Sequence, residues 1–255
     1  MKLILLSLVF LISCGVFTQK TPEQVKADQL YTLGNDKMLE KDFESARDLF
    51  SKASKLRPND PKIIHNLGMT YLFKKDVKTA ISYLEKTLTL DENSSEALRT
   101  LASINYQLGK YPKAKKYYLK LVQNPEFKKD FHANSNLAYI YRSEDNYLEA
   151  RKYLLILANN NKDNCITHSR IGKIEQELKN YQMALDHFNK SLYPPCYLNP
   201  EPMYLKGLVL ERLGRYRDAR KTYGELTSKF PTTFFNSFAQ LRQAQIKTKK
   251  DRKRL

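Results

Sequence analysis

Metal ligation, nucleophilic catalysis, disulfide formation and acylation all draw on cysteine and histidine, and this chain holds three of the first and four of the second. His65, His132, His168 and His187 fall at scattered positions, and no two have ligand spacing on one helix. They read as ordinary surface or groove residues, so no metal ligand set is expected. There is no glycine-rich phosphate loop, no nucleophile elbow and no HExxH pair. The sequence therefore shows no catalytic constellation, and the expectation is a chain that is not an enzyme and takes no cofactor. What remains is Cys14, Cys165 and Cys196.

Cys14 closes the stretch "MKLILLSLVFLISC", in which one lysine is followed by eleven uncharged residues. That is a charged n-region and an apolar run too short to span a bilayer comfortably. The run ends L-I-S-C, which resembles the bacterial lipobox. The resemblance implies that residues 1–13 are a lipoprotein signal peptide and that Cys14 becomes the acylated first residue of the mature chain. Several acyl chains hold a protein stably at a membrane where one does so only marginally. Gly15 follows, where many lipoproteins retained at the inner membrane carry Asp, which favours the outer membrane. The alternative is an ordinary leader with a chance cysteine. Residues 14–26 then form a polar, lipidated tether.

The rest of the chain must position anything else it does. With 42% hydrophobic residues, 17 Tyr and only 8 Gly in 255 residues, it suits helices better than a turn-rich β fold. The formal charge is +17, and the last nine residues, "KTKKDRKRL", hold six cations and one anion. Elsewhere Lys and Arg are scattered among acids, which is the pattern of a solvated face, and no concentrated basic helix or recognition motif points to nucleic acid.

Gly34, Gly68, Ala102, Ala138, Gly172 and Gly207 are spaced by 34, 34, 36, 34 and 35 residues. Twelve residues after each stands Ala46, Ala80, Ala114, Ala150, Ala184 or Ala219. Four further on comes Phe50, Leu84, Tyr118, Leu154, Phe188 or Tyr223. This is the period and pattern of the tetratricopeptide repeat, a helix–turn–helix unit. Small residues belong where two helices cross closely, and the large residue fills the groove between neighbours. The fold class expected is all-α: a right-handed superhelical solenoid of six tetratricopeptide (TPR) repeats over residues 27–231, a closing helix at 232–247 and a basic disordered tail at 248–255. Lys37 and Lys206 stand where the repeat prefers an apolar residue.

Such an array offers a concave surface lined by the outward positions of each first helix. In this register those are Tyr31, Asn35, Met38, His65, Met69 and Leu72 in the first two repeats. Arg99, Ser103, Tyr106, Ser135, Tyr139 and Arg142 follow in the next two, then Ser169, Lys173, Tyr204 and Leu208. Tyr, Met, Leu and His facing outward compose a peptide-binding groove; the alternative is that some of them pack inside the superhelix. Arg99 and Arg142 suit an acidic or C-terminal peptide. A monomer is expected.

Cys165 opens the first helix of the fifth repeat and Cys196 follows its second. The start of one helix and the end of the next share one end of a hairpin, so the two thiols can meet. Export would favour a Cys165–Cys196 disulfide, closing a loop of about 30 residues and contributing on the order of 3 kcal/mol.

A lipobox followed by about six TPR units resembles the type IV pilus pilotin lipoproteins, the PilF, PilW and Tgl group. The stretch "QNPEFKKDFHANSNLAYIY" is similar to the way that group enters its fourth repeat, and some members carry a cysteine pair where this chain has Cys165 and Cys196. The resemblance implies a non-catalytic lipoprotein at the periplasmic face of the bacterial outer membrane, held to lipid through Cys14. Its groove would bind a secretin subunit and aid that subunit's localisation or oligomerisation. Two other readings stay open: the TPR lipoprotein of a β-barrel assembly machine, and the docking subunit of an envelope enzyme.

Overall fold

The computed structural model describes residues 20–160, 164–192 and 199–252. Among them are thirteen α-helices and no strand. Two compact units divide the chain, one up to Glu92 and one from Asn93 onward. In the first, helix α1 (Pro22–Leu39) packs on α2 (Phe43–Leu56), α2 on α3 (Pro61–Phe73), and α3 on α4 (Val77–Leu90). The second unit continues the scheme with the hairpins α5 (Ser95–Gln107)/α6 (Tyr111–Gln123) and α7 (Phe131–Ser143)/α8 (Tyr147–Asn160). It ends with α9 (Cys165–Glu177)/α10 (Tyr181–Ser191), α11 (Pro200–Arg212)/α12 (Tyr216–Lys229) and a thirteenth helix, α13 (Phe234–Arg252). The fold is an all-α TPR array.

The spaced glycines explain how closely each pair can approach. A Cβ placed on Gly34 would lie 2.6 Å from the Phe50 ring, and one on Gly207 would lie 2.2 Å from the Tyr223 ring. Phe50, Tyr118, Phe188 and Tyr223 are all fully buried at these crossings. Burying one such ring stabilises the fold by roughly 2–3 kcal/mol. The alanines twelve residues on, from Ala46 to Ala219, are likewise buried completely.

All six hairpin turns are built alike. One residue takes a left-handed conformation: Lys41, Lys75, Gly109, Asp145, Lys179 or Gly214, with φ between 55° and 72°. The next residue's N–H then reaches back to a carbonyl five residues earlier, as in Asp76 N to Tyr71 O at 2.9 Å and Arg215 N to Leu210 O at 2.8 Å. This is the paired closure that ends a helix on a left-handed residue. Two second helices, α2 and α4, start from an acidic cap. Asp42 accepts from Ser45 N and Asp76 from Thr79 N, each at 3.1 Å, and these bonds hold both carboxyls below the usual aspartate range.

Two boundaries differ from the sequence reading. The first helix starts at Pro22, inside the expected tether, because Thr21 and Gln24 form a reciprocal cap there. The last helix runs to Arg252, past the expected end at 247, since no Gly or Pro interrupts "KTKKDR" and Lys and Arg are good helix formers. The two irregular lysines are accommodated separately. Lys37 pairs with Glu40 at 2.6 Å, and Lys206 is half-buried, its ammonium pKa lowered by that burial.

Replacing Gly207 by Ala should lower the unfolding free energy by about 1–3 kcal/mol, read from denaturant titration, because the Tyr223 ring must move. Lys75→Gly should raise stability by about 0.5 kcal/mol by relieving a left-handed non-glycine, whereas Lys86→Gly inside α4 should lower it by about 1 kcal/mol. Equal effects of the two Lys→Gly changes would contradict this reading of the turns.

Candidate functional site

In the unit from Asn93 onward, the inner faces of α5, α7 and α9 enclose a cavity of about 330 Å³. Tyr106, Ser135, Tyr139, Arg142 and Lys173, all expected in the groove, line it, together with Asn136 and Arg170, which were not. The floor is aromatic. Tyr106 and Tyr139 meet edge to face with centroids 5.7 Å apart, and Tyr111 stands 5.5 Å from the first and 6.0 Å from the second. Burial pushes the Tyr106 hydroxyl pKa up, and a hydrogen bond with Tyr139 does the same for Tyr111. Tyr106 and Tyr111 therefore stay neutral hydroxyls at physiological pH. Tyr139 remains 44% exposed, the most open ring of the three.

The cations around this floor are not equivalent. Lys173 Nζ is paired with Glu201 at 2.7 Å. Arg170 donates to the Ser135 hydroxyl at 3.0 Å and reaches no carboxylate. The exposed Arg142 guanidinium makes no hydrogen bond or ion pair with any described residue. An adjoining cavity of about 420 Å³ shares Arg142, Lys173 and Ile174 and adds Asp145, Glu177 and Glu201. One end of the groove is thus cationic and aromatic, and the other carries carboxylates.

The cavity wall is tied to the core. The Tyr118 hydroxyl, at the end of a fully buried ring, accepts from Asn136 Nδ2 at 2.7 Å and lies 3.3 Å from the Ser103 hydroxyl. Ser103 is therefore engaged behind the groove. Arg99, expected as a groove cation, is instead a fastener. It pairs with Asp130 at 2.9 Å and covers the Phe127 ring at 5.4 Å, fixing the connection into α7. Ser169 is buried and Arg170, one position on, faces the cavity in its place. Tyr204 is covered by Phe235 and Phe238 of α13, with centroids at 5.6 and 6.2 Å, and Leu208 is half-buried.

In the unit up to Glu92 the expected groove residues largely satisfy one another. Asn66 Nδ2 donates to Asn35 Oδ1 at 2.7 Å and to the Tyr31 hydroxyl at 3.3 Å, while His65 Nδ1 lies 3.0 Å from Asn66 Oδ1. Met38 and Tyr31 pack on the core of Ala46, Phe50 and Leu67, and Met69 and Leu72 are half-buried. Cys165 is buried at the start of α9, while Cys14 and Cys196 lie outside the described residues.

Two histidines distant in sequence do meet. His168 on α9 and His187 on α10 bring their Nδ1 atoms to 3.1 Å, so one ring must donate and the other accept. Burial, with the neighbouring His168 and Lys190, pushes His187 down to about 4, against the opposing pull of Glu175 and Asp186. Among the described residues there is no group of three or more His, Cys, Asp or Glu able to hold a metal, and no helix long and apolar enough to cross a membrane.

Comparisons with known proteins agree with this architecture. One tetratricopeptide-repeat family model matches residues 61–94 and another matches residues 96–126 and 203–233. The chain is 27% identical over 163 residues to the anaphase-promoting complex subunit CDC16 of Saccharomyces cerevisiae, a match covering 61% of this chain. It spans about a fifth of the length of the curated relatives it matches, 19% of CDC16. Two solved structures cover most of the chain. PilF of Pseudomonas aeruginosa superposes with a TM-score of 0.59 at 15% identity, over 87% of this chain and 99% of that one. PilW, described as a widely conserved type IV pilus biogenesis factor, gives a TM-score of 0.54 at 16% identity, over 84% and 98%. These likenesses show the fold, an array of tetratricopeptide repeats.

The histidine pair has a measurable consequence. A native pKa held near 4, below the unfolded value of 6.5, contributes stability that is complete above pH 6.5 and lost as pH falls towards 4. Thermal midpoints measured from pH 7 to pH 4.5 should fall more steeply for the native protein than for His187→Gln, by a difference of about 1–3 kcal/mol. Parallel pH profiles would show that the pair does not resist protonation.

Proposed function

We propose that this chain is a non-catalytic, lipid-anchored scaffold of the bacterial outer membrane that docks a secretin subunit for type IV pilus biogenesis. The observation that carries the docking is the cavity of Tyr106, Tyr139, Arg142 and Arg170, an open aromatic floor with guanidiniums that no carboxylate of the described residues occupies. The fold shared with PilF and PilW over most of the chain supports the choice of machine. Acylation of Cys14 would hold the array at the periplasmic face, and a scaffold needs no more chemistry than that. A bridge from Cys165 to Cys196 belongs to the same proposal: Cys165 is buried at the start of α9, and an oxidising compartment is where such a bond would persist.

The partner enters by surface complementarity. A ring such as Tyr139, amphipathic and held by neighbouring rings, supplies contact area at low entropic cost, and aromatic and arginine anchors carry most of the binding energy at interfaces. Substrate-like enclosure is absent from this picture, because the groove is open to an extended chain.

Affinity capture from detergent-solubilised envelopes, blotted for the secretin, should recover it with the native protein. Tyr139→Ala should reduce the recovery about tenfold or more, and Cys14→Ser should move the scaffold out of the membrane fraction. Normal secretin multimers and twitching motility in a deletion strain would overturn the assignment.

A further inference from the structure

The docking cavity also states which kind of segment it takes. We infer that it binds an extended peptide through one acidic residue, seated between Arg142 and Arg170 over the Tyr106–Tyr139 floor, with the chain leaving across Glu177 free of further acids. This rests on the docking reading above and names the ligand chemistry of the same groove.

Four other arginines of this unit are held in ion pairs, whereas Arg212, Arg217 and Arg220 lie exposed and away from the cavity lining. Arg99 is paired with Asp130 at 2.9 Å, Arg151 with Glu175 at 3.4 Å, Arg215 with Asp218 at 2.7 Å and Arg242 with Glu211 at 2.9 Å. Arg142 and Arg170 share a cavity wall and have no such partner. Both guanidiniums line one open cavity, so an anion that enters it meets two cations. A carboxylate that enters there accepts forked hydrogen bonds from such planar donors. Arg170 is already oriented for this by its bond to Ser135.

The floor sets the rest of the ligand. The Tyr106, Tyr111 and Tyr139 rings meet at 5.5 to 6.0 Å, and the exposed face of Tyr139 offers a seat for an apolar or aromatic side chain next to the acid. Beyond Lys173 the sign of the surface changes. Asp145, Glu177 and Glu201 line the adjoining cavity, and Glu201 alone is neutralised by Lys173. Asp145 accepts from the Tyr147 hydroxyl at 2.8 Å, which leaves its charge in place. A second acid arriving there would be repelled, and a basic residue would be welcome. The groove therefore distinguishes a single acid followed by a base from a polyacidic run, which a merely cationic surface would prefer.

Fluorescence polarisation on the full chain in detergent tests this with a labelled octapeptide carrying Phe-Glu-Phe followed by Gly-Ser-Lys. Replacing its Glu by Gln should weaken binding tenfold or more, and replacing its Lys by Glu should weaken it several-fold. In R142Q/R170Q, with circular dichroism and melting unchanged, the Glu and Gln peptides should bind alike. The surface control R217Q/R220Q should keep the full discrimination. The inference falls if R142Q/R170Q discriminates as the native chain does, if the control loses as much, or if the Lys→Glu peptide binds more tightly. Should no peptide bind while envelope capture of the secretin persists, the acidic-residue chemistry is wrong and the docking reading stands.

Discussion

Everything in this fold hangs on how near two helices can come at one small residue. Gly34, Gly172 and Gly207 leave room for the rings of Phe50, Phe188 and Tyr223, and a methyl group at any of these positions would lie within 3 Å of ring carbons. Ala102 holds the same place opposite Tyr118, both fully buried. Close packing of this kind has one arrangement and transmits displacement. The rings therefore set the hairpin geometry, and the hairpins set which faces of the first helices are left to solvent. At Tyr118 and Tyr223 the ring also carries a polar tip out of the core. Tyr223 donates to Glu211 at 2.8 Å, where Arg242 of α13 binds as well. Tyr118 reaches Asn136 at the back of the cavity. The same contact that closes a repeat thus anchors its neighbour.

Much of this was legible in the sequence because the repeat is a statement about packing. Period, small residues and large residues all follow from the crossing, so fold class and hairpin register could be read directly. The groove was legible only in part. The register put the inner face three positions before and one and four positions after each small residue. The structure adds the position two before it, that of Asn136 and Arg170, and buries Ser169 at the position three before. A helix turns 100° per residue, so a face of this width straddles neighbouring positions and side-chain length decides which one shows. Long Arg170 reaches the cavity where short Ser169 cannot. Arg99 and Tyr204 depart for another reason. Their partners, Asp130 with Phe127 and Phe235 with Phe238, come from the connection into α7 and from the closing helix α13, which the repeat does not describe. The histidine contact was invisible because its two members lie on different helices of one hairpin, 19 residues apart.

A formal charge of +17 could suggest a surface that binds any anion. The distribution of ion pairs argues for selectivity instead. Within each unit most of the partly buried cations are already answered. Arg57 has Asp28 and Asp60, Lys115 has Glu144 at 2.6 Å, and Lys173 has Glu201 at 2.7 Å. Exposed pairs of this sort add little stability, typically under about 1 kcal/mol, yet they cancel the local field that would otherwise draw anions everywhere.

The inner faces of the two units then differ in what they leave unsatisfied. In the first, Tyr31, Asn35, His65 and Asn66 hydrogen-bond to one another at 2.7 to 3.3 Å, and His65 Nε2 is buried without a partner, so a ligand there would have to open the set to reach it. In the second, Arg142 and Arg170 have donors in excess, and Arg170 keeps its bond to Ser135 while offering the rest. Binding is strongest where the free protein has already met the cost of orienting its groups without satisfying them. Tyr118 and Ser135 do the orienting: Tyr118 fixes Asn136 from the core, and Ser135, one residue before it, holds Arg170. The recognition surface is therefore a direct extension of the helix crossing, and its specificity comes from the two guanidiniums that the cavity leaves without a carboxylate.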